Sequence, residues 1–151
     1  MPLVVFFCLL YFVSPASTQD NSTQRITSCV CDPSDPQQSF SYPPAGGEGI
    51  VALGDRCWVV VKNDDCAWYG NSCLELGSCD GPNVPTFNIS AGIGAGTVVF
   101  RFLTGIPEAQ PNKACADYNK GKALLEAYVC YSYENKQQEF VELDNGGLQE
   151  K

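Results

Sequence analysis

Nine cysteines in a chain of 151 residues constrain this fold more than any other sequence feature. Cysteine at this density is typical of secreted domains, in which disulfides compensate for a modest hydrophobic core. One of the nine, Cys8, lies in an apolar N-terminal segment, and an even number remains after it. We therefore predict a framework of four disulfides whose pairing the spacing does not fix. The cysteines concerned are Cys29, Cys31, Cys57, Cys66, Cys73, Cys79, Cys115 and Cys130.

The apolar segment runs without a break from Leu3 to Val13. It is shorter than the roughly 20 residues that a membrane-spanning helix needs, and Ser14-Pro15 ends it. Small residues follow at 16–18, which places signal-peptidase cleavage before Gln19. The sequence predicts a signal peptide over 1–18, a secreted mature chain and no membrane span.

Composition narrows the function further. The chain has no histidine, which removes histidine-dependent nucleophilic catalysis, histidine zinc sites and imidazole pH switching. Its 17 acidic side chains against 9 basic ones give a formal net charge of −8, which repels phosphate backbones. Nucleic acid is therefore not an expected partner.

The mature chain divides into three parts. Polar residues over 19–28 predict a flexible leader, residues 29–133 a disulfide-rich β domain, and residues 134–151 an acidic disordered tail. Runs of β-branched and aromatic residues within 29–133 predict strands at 50–53, 57–62, 74–76, 84–90, 97–104 and 123–133. The stretch 107–119 is expected to be a polar connection. The predicted fold is all-β or nearly so, an antiparallel β-sandwich stapled by disulfides.

Strand alternation gives one specific expectation. Phe87 and Ile89 face one side and Asn88 the other, so the two apolar residues should be buried and the asparagine exposed. Asn88 and Asn21 each begin an Asn-x-Ser/Thr sequon, and we predict both as glycosylation sites.

Two groups of side chains could carry a site. Asp64, Asp65, Glu75 and Asp80 are the densest carboxylates, and they are candidate calcium ligands, candidate hydrolytic groups or a solvated acidic surface. Trp68 and Tyr69 lie between Cys66 and Cys79, where aromatic rings either stack on a ligand or pack on disulfides. Both alternatives stay open for each group. Apart from calcium, no cofactor is expected.

Several segments resemble the CUB domain, an extracellular β-sandwich. The segment from Cys31 to Cys57, followed by Trp58-Val59-Val60, is similar to the opening of that family, and Leu74-Glu75-Leu76 with Asp80-Gly81-Pro82 to a later part. The resemblance covers about residues 29–133 and implies a binding module.

A second resemblance is to the galactose/rhamnose-binding lectin domain. Ala67-Trp68-Tyr69-Gly70-Asn71 resembles its sugar loop, with Asn71 in place of an arginine, and the ending with Lys122, Leu124, Tyr128 and Cys130 is also similar. This resemblance implies a sugar site that contains Trp68, Tyr69, Asn71 and Lys122.

From these observations we expect a secreted, glycosylated, non-catalytic recognition module that binds an extracellular protein or glycan. The alternatives are an acidic structural or matrix protein and a secreted hydrolase that uses carboxylates alone.

Overall fold

The computed structural model describes residues 7–11, 23–30, 34–132, 137–142 and 148–150. Within these ranges the chain forms twelve β-strands and one 3-10 helix, Pro36–Gln38. The strands are β1 (Phe7–Tyr11), β2 (Gln24–Val30), β3 (Glu48–Gly49), β4 (Ala52–Leu53), β5 (Arg56–Lys62), β6 (Ser72–Ser78), β7 (Phe87–Ala91), β8 (Thr97–Phe102), β9 (Ala114–Asn119), β10 (Leu124–Val129), β11 (Phe140–Glu142) and β12 (Leu148–Glu150). Every strand pairing is antiparallel, so the predicted all-β, disulfide-stapled class is confirmed.

The strands belong to one hydrogen-bonded sheet. Its order is β10-β9-β8-β11-β12-β1-β2-β6-β5-β4, with β7 on β8 and β3 on β7. An additional pairing joins β10 to β6, where Leu125 lies opposite Leu74. Because of this pairing the sheet folds over, and strands from both halves contribute side chains to a single core.

An aromatic group forms the centre of that core. The indole ring of Trp58, on β5, lies 5.7 Å from the Phe87 ring and 5.2 Å from the Phe100 ring, and Phe40 approaches it edge-on at 5.9 Å. Phe87 and Ile89 are fully buried, which confirms the face of β7 expected to point into the core, whereas Asn88, expected to be exposed, is half-buried.

Three disulfides join elements of the described part of the chain. Cys57 bonds to Cys79, Cys66 to Cys73 and Cys115 to Cys130. Two of the eight cysteines predicted to form disulfides remain, Cys29 and Cys31; the side chain of Cys29 and the whole of Cys31 lie outside the described residues.

Several strands lie where none was predicted. β9 occupies the expected connection at 107–119, and its Ala114, Ala116 and Tyr118 are buried in the core. The expected disordered tail contains β11 and β12, because Phe140 and Leu148 are also buried in that core. The expected leader contains most of β2, which buries Ile26 there.

The predicted signal peptide contains β1, which pairs with both β2 and β12. Cleavage before Gln19 remains a prediction, and it would remove this strand from the sheet. Among the described residues, no helix has the length and apolar character needed to cross a membrane.

Candidate functional site

The candidate site lies on the face of the β9–β10 hairpin that points away from the core. Along β10, Leu125 and Ala127 face the core, so Glu126 and Tyr128 face outward. The register places Glu126 directly opposite Asp117 of β9. Side chains of residues opposite each other on one face of an antiparallel pair are neighbours, so the hairpin presents two carboxyl groups side by side.

Three aromatic rings stand beside this carboxyl pair. The Trp68 ring lies 4.6 Å from the ring of Tyr128, and the Tyr131 ring lies 5.7 Å from the Tyr128 ring. Trp68 is 45% exposed, which is unusual for so large an apolar side chain, whereas Trp58 is fully buried. The rings form a wall with one open aromatic surface, and we call these three residues the aromatic wall.

The aromatic wall and the carboxyl pair border a cavity of about 280 Å³, which we call the β9–β10 cavity. This volume suits one monosaccharide or one side chain rather than a long stretch of polymer. Nine of the described residues line it: Ala67, Trp68, Asp117, Asn119, Lys122, Glu126, Tyr128, Tyr131 and Gln137.

The loop that carries Trp68 is fixed at several points. Its two ends are joined by the Cys66–Cys73 disulfide, and both sulfur-bearing residues pack against Leu124 of β10. This packing brings the loop over the outer face of the hairpin and sets Trp68 beside Tyr128. Disulfide closure and apolar contact together limit the conformations open to the loop.

Polar contacts fix the turn that follows Trp68. The backbone carbonyl of Tyr69 accepts hydrogen bonds from Lys62 Nζ at 3.4 Å and from Ser72 Oγ at 2.7 Å. Tyr69 and Asn71 both have positive φ, 46° and 61°, a conformation that costs energy in residues other than glycine. The hydrogen bonds to the Tyr69 carbonyl help to hold the backbone in that conformation directly after Trp68.

Both groups of the carboxyl pair are buried, and each accepts a hydrogen bond from a different residue. Asp117 and Glu126 are only 4% and 3% exposed. Asp117 Oδ2 accepts a hydrogen bond from Gln138 Nε2 at 2.9 Å, and Glu126 Oε1 accepts one from Asn119 Nδ2 at 3.0 Å. Burial raises the pKa of Asp117 to about 6; the Gln138 hydrogen bond opposes this shift, and the charge on Glu126 adds to it.

No basic side chain of the described residues forms an ion pair with either carboxyl group. The two ion pairs among the described residues join Arg25 to Asp65 and Lys62 to Glu108, both outside the cavity. Lys122 lines the cavity, but its ammonium group donates a hydrogen bond to the backbone carbonyl of Asp65. Above the pKa of Asp117 the cavity floor is therefore anionic.

The structure brings together two of the four predicted ligand-binding residues. Trp68 and Lys122 line the β9–β10 cavity, whereas Tyr69 and Asn71 do not. The hydroxyl of Tyr69 donates to the Lys113 carbonyl at 3.3 Å while its ring packs against the core. Asn71 donates to Asp64 Oδ1 at 2.9 Å.

Sequence reasoning missed the carboxyl pair and two of the aromatic residues. A signal was present, since in β9 the residues 115, 117 and 119 alternate with the core-facing 114, 116 and 118. Alanine, aspartate and asparagine are poor strand formers, and they concealed this period-2 pattern.

The four candidate calcium ligands are not assembled into one site. Among the described residues, which include Asp64, Asp65, Glu75 and Asp80, no three carboxylate, cysteine or histidine groups lie close enough to hold a metal ion. Asp65 is engaged by Arg25 Nη2 at 2.7 Å, and Glu75 lies within β6, opposite Val59 of β5.

Of the two sequons, the structure describes the one that begins at Asn88. Asn88 lies within β7, half-buried, with Glu48 opposite it on β3 and Arg101 opposite it on β8. Asn21 lies outside the described residues. Glycosylation of either asparagine remains a prediction.

Comparison of the chain with protein-family models, with curated proteins and with solved structures finds no match.

Proposed function

We propose that this protein is a secreted, non-catalytic recognition module that binds an extracellular protein or glycan in the β9–β10 cavity. The observation that carries the proposal is the half-exposed Trp68 ring, which contacts Tyr128 at a cavity lined by two buried carboxyl groups. An exposed aromatic surface beside buried polar groups is the usual composition of a ligand site.

The rigidity of the site supports the same proposal. The Cys66–Cys73 disulfide and the Cys115–Cys130 disulfide lie on the two elements that form the cavity. A ligand surface held rigid before binding loses little conformational entropy when the ligand arrives. The disulfides also agree with an oxidising, extracellular environment.

The resemblance of residues 67–71 to a lectin sugar loop supports a glycan among the candidate ligands. Trp68 offers a flat apolar surface for a sugar ring, and Asp117, Glu126 and Asn119 offer hydrogen-bond acceptors and a donor for hydroxyl groups. Extracellular recognition is thus compatible with both resemblances that the sequence shows.

The proposal is tested by screening the wild type and a Trp68→Ala variant against glycan and extracellular-protein arrays. Ile93→Ala is the matched control, since Ile93 is an exposed apolar residue, 63% exposed, that does not line the cavity. We expect Trp68→Ala to lose about 2 kcal/mol or more of binding free energy with a melting temperature near that of the wild type. Binding that survives Trp68→Ala as fully as Ile93→Ala would contradict the proposed site.

A carboxylate-based hydrolase is the second candidate, and the Asp117–Glu126 pair is the observation that favours it. With a pKa of about 6, Asp117 carries a proton at mildly acidic pH and could act as a general acid beside a second carboxylate. Turnover of aryl glycosides or polysaccharides that is lost in both Asp117→Asn and Glu126→Gln would favour this function. Binding without turnover would favour recognition.

A further inference from the structure

The carboxyl pair at the floor of the β9–β10 cavity concentrates negative charge, and no ion pair of the described residues balances it. Asp117 and Glu126 lie on one sheet face, directly opposite each other, and both are almost completely buried. Each accepts a hydrogen bond from a neutral amide, that of Gln138 or Asn119, and no ion pair within the described residues reaches either of them. Buried charges are normally paired, and within the described part of the chain neither carboxyl group has a cationic partner.

The aromatic wall adds an independent preference for a cation. Trp68, Tyr128 and Tyr131 border the same cavity, and the face of an aromatic ring carries negative charge that attracts ammonium and guanidinium groups. Trp68 is the ring with the largest open area among them. Carboxylates and aromatic faces therefore converge on one small volume, and both attract positive charge.

Lys122, the one basic residue in the described lining of the cavity, does not fill this role. Its ammonium group is held by the backbone carbonyl of Asp65, in the turn that follows β5. Lys122 thus contributes to the rim of the cavity and leaves the floor anionic.

From these contacts we infer that the β9–β10 cavity binds an organic cation, an ammonium or guanidinium group that sits on the Trp68 face and is neutralised by Asp117 and Glu126. This inference rests on the proposed function and names the chemical class of its ligand. The cation has two candidate sources, a basic side chain displayed by an extracellular protein or peptide and a free small amine.

The titration of Asp117 gives a second signature of the same binding. Among the residues that the structure describes, the other titratable groups lining the cavity are Glu126 and Tyr128 from β10, with Tyr131 and Lys122. A cation favours ionised Asp117, so its affinity should rise with pH through the pKa of about 6. Between about pH 5 and about pH 7.5 we expect a gain of roughly tenfold, because the ionised fraction rises by that factor.

The experiment is calorimetric titration of the secreted protein with matched probes. Choline and 3,3-dimethylbutan-1-ol have nearly the same shape and differ in charge, and methyl galactoside represents a neutral sugar. A short peptide with one internal lysine separates a protein-borne cation from a free amine. The variants are Trp68→Ala and the double variant Asp117→Asn/Glu126→Gln. Their controls are Ile93→Ala and the double variant Glu48→Gln/Asp55→Asn, which removes the same charge from exposed positions outside the cavity.

We expect choline or the lysine peptide to bind about tenfold or more tightly than the neutral probe. Trp68→Ala and the carboxyl double variant should remove this preference, and both controls should keep it. Should the carboxyl double variant fail to fold, the pH dependence of choline or peptide binding in the wild type gives the same information.

Equal binding of choline and its neutral isostere would overturn the inference. So would Trp68-dependent binding of methyl galactoside alone, although the proposed recognition site would then stand. Absence of saturable binding by every cationic probe would also overturn it, and the array screen would decide the proposed function separately.

Discussion

At the floor of the cavity, the Asp117 carboxyl lies opposite Glu126 and has lost most of its contact with water. Because its pKa is raised, Asp117 keeps its proton in the folded state between about pH 4 and about pH 6. In the unfolded chain the same carboxyl group has already released that proton. The contribution of Asp117 to the free energy of unfolding therefore falls as pH rises through this window. Function and stability are in opposition at this residue, since the ionised form that attracts a cation is the form that burial penalises.

Asp117→Asn should consequently stabilise the protein at neutral pH. A pKa raised by roughly two units corresponds to a penalty of about 3 kcal/mol above pH 6, and asparagine keeps the acceptor for Gln138 without the charge. Urea unfolding of both proteins between about pH 4 and about pH 8 measures the effect. We expect a gain near pH 7.5 that shrinks towards pH 4. A stability difference that does not vary with pH would contradict the assignment of this titration to Asp117.

Phe87 tests the packing of the core. Its ring lies 4.7 Å from Phe102 and 5.7 Å from Trp58, so truncation leaves a cavity among aromatic rings that cannot close around it. Phe87→Ala should cost about 3–5 kcal/mol of unfolding free energy. The neighbouring Asn88→Gln, on the opposite face of β7, should change stability by no more than about 0.5 kcal/mol. Similar losses from both substitutions would show that the register of β7 is wrong.

At the scale of elements, the site forms where the disulfide-closed Cys66–Cys73 loop packs on Leu124 of the β9–β10 hairpin. Two disulfides, Cys57–Cys79 and Cys66–Cys73, lie on the β5–β6 side of the fold, and they differ in what they constrain. Cys57–Cys79 closes a separation of 22 residues, whereas Cys66–Cys73 closes one of 7 and holds Trp68. The longer closure removes more freedom from the unfolded chain.

Replacing each of these disulfides with a pair of serines should separate stability from binding. Chain entropy predicts a loss of about 3.4 kcal/mol for Cys57–Cys79 and about 2.4 kcal/mol for Cys66–Cys73. Ligand affinity should respond in the opposite order, because only the second disulfide fixes the loop of Trp68. Denaturant unfolding and titration with the same ligand provide both quantities. Full affinity in the Cys66→Ser/Cys73→Ser protein would contradict the role given to this loop.

Strands with strong β-formers were predictable from sequence, and those with weak β-formers were not. Alternation and β-branched residues correctly predicted the positions of β5, β7 and β8 and the burial of Phe87. β9, rich in alanine, forms through its pairing with β10 and the burial of its core-facing side chains, and β11, with acidic residues around Phe140, forms by pairing with the distant β8. The β-propensity of the residues in β9 and β11 is weak, so tertiary packing determines that these segments form strands.

The same distinction applies to the site. The sequence singled out Trp68 as an aromatic residue in a cysteine-dense loop, and it left open whether the ring stacks on a ligand or packs on disulfides. The carboxyl pair was not predictable, because Asp117 and Glu126 meet only through the register of two strands, one of them unforeseen. The predicted acidic cluster around Asp64 was based on proximity along the chain, which the fold does not convert into a common site.

For the whole molecule, one folded-over sheet encloses an aromatic core and exposes a separate aromatic wall on its outer face. The secreted, mature form should begin near Gln19 and contain no reactive thiol. Intact mass with and without alkylation tests this expectation, and a peptide map should recover Cys57–Cys79, Cys66–Cys73 and Cys115–Cys130. Two or more alkylated cysteines in the native protein would contradict the disulfide framework.

The chain has two tryptophans, one in the core and one at the cavity, and their indole N–H signals in a ¹H–¹⁵N spectrum test the central claim most directly. Trp58 is fully buried and Trp68 half-exposed, so a ligand in the β9–β10 cavity can contact only the second. Trp68→Phe assigns the two signals. On titration with the tightest-binding ligand of the arrays or probe panel, we predict a saturable shift of the Trp68 signal and an unchanged Trp58 signal. Saturated binding that leaves the Trp68 signal in place would contradict the account.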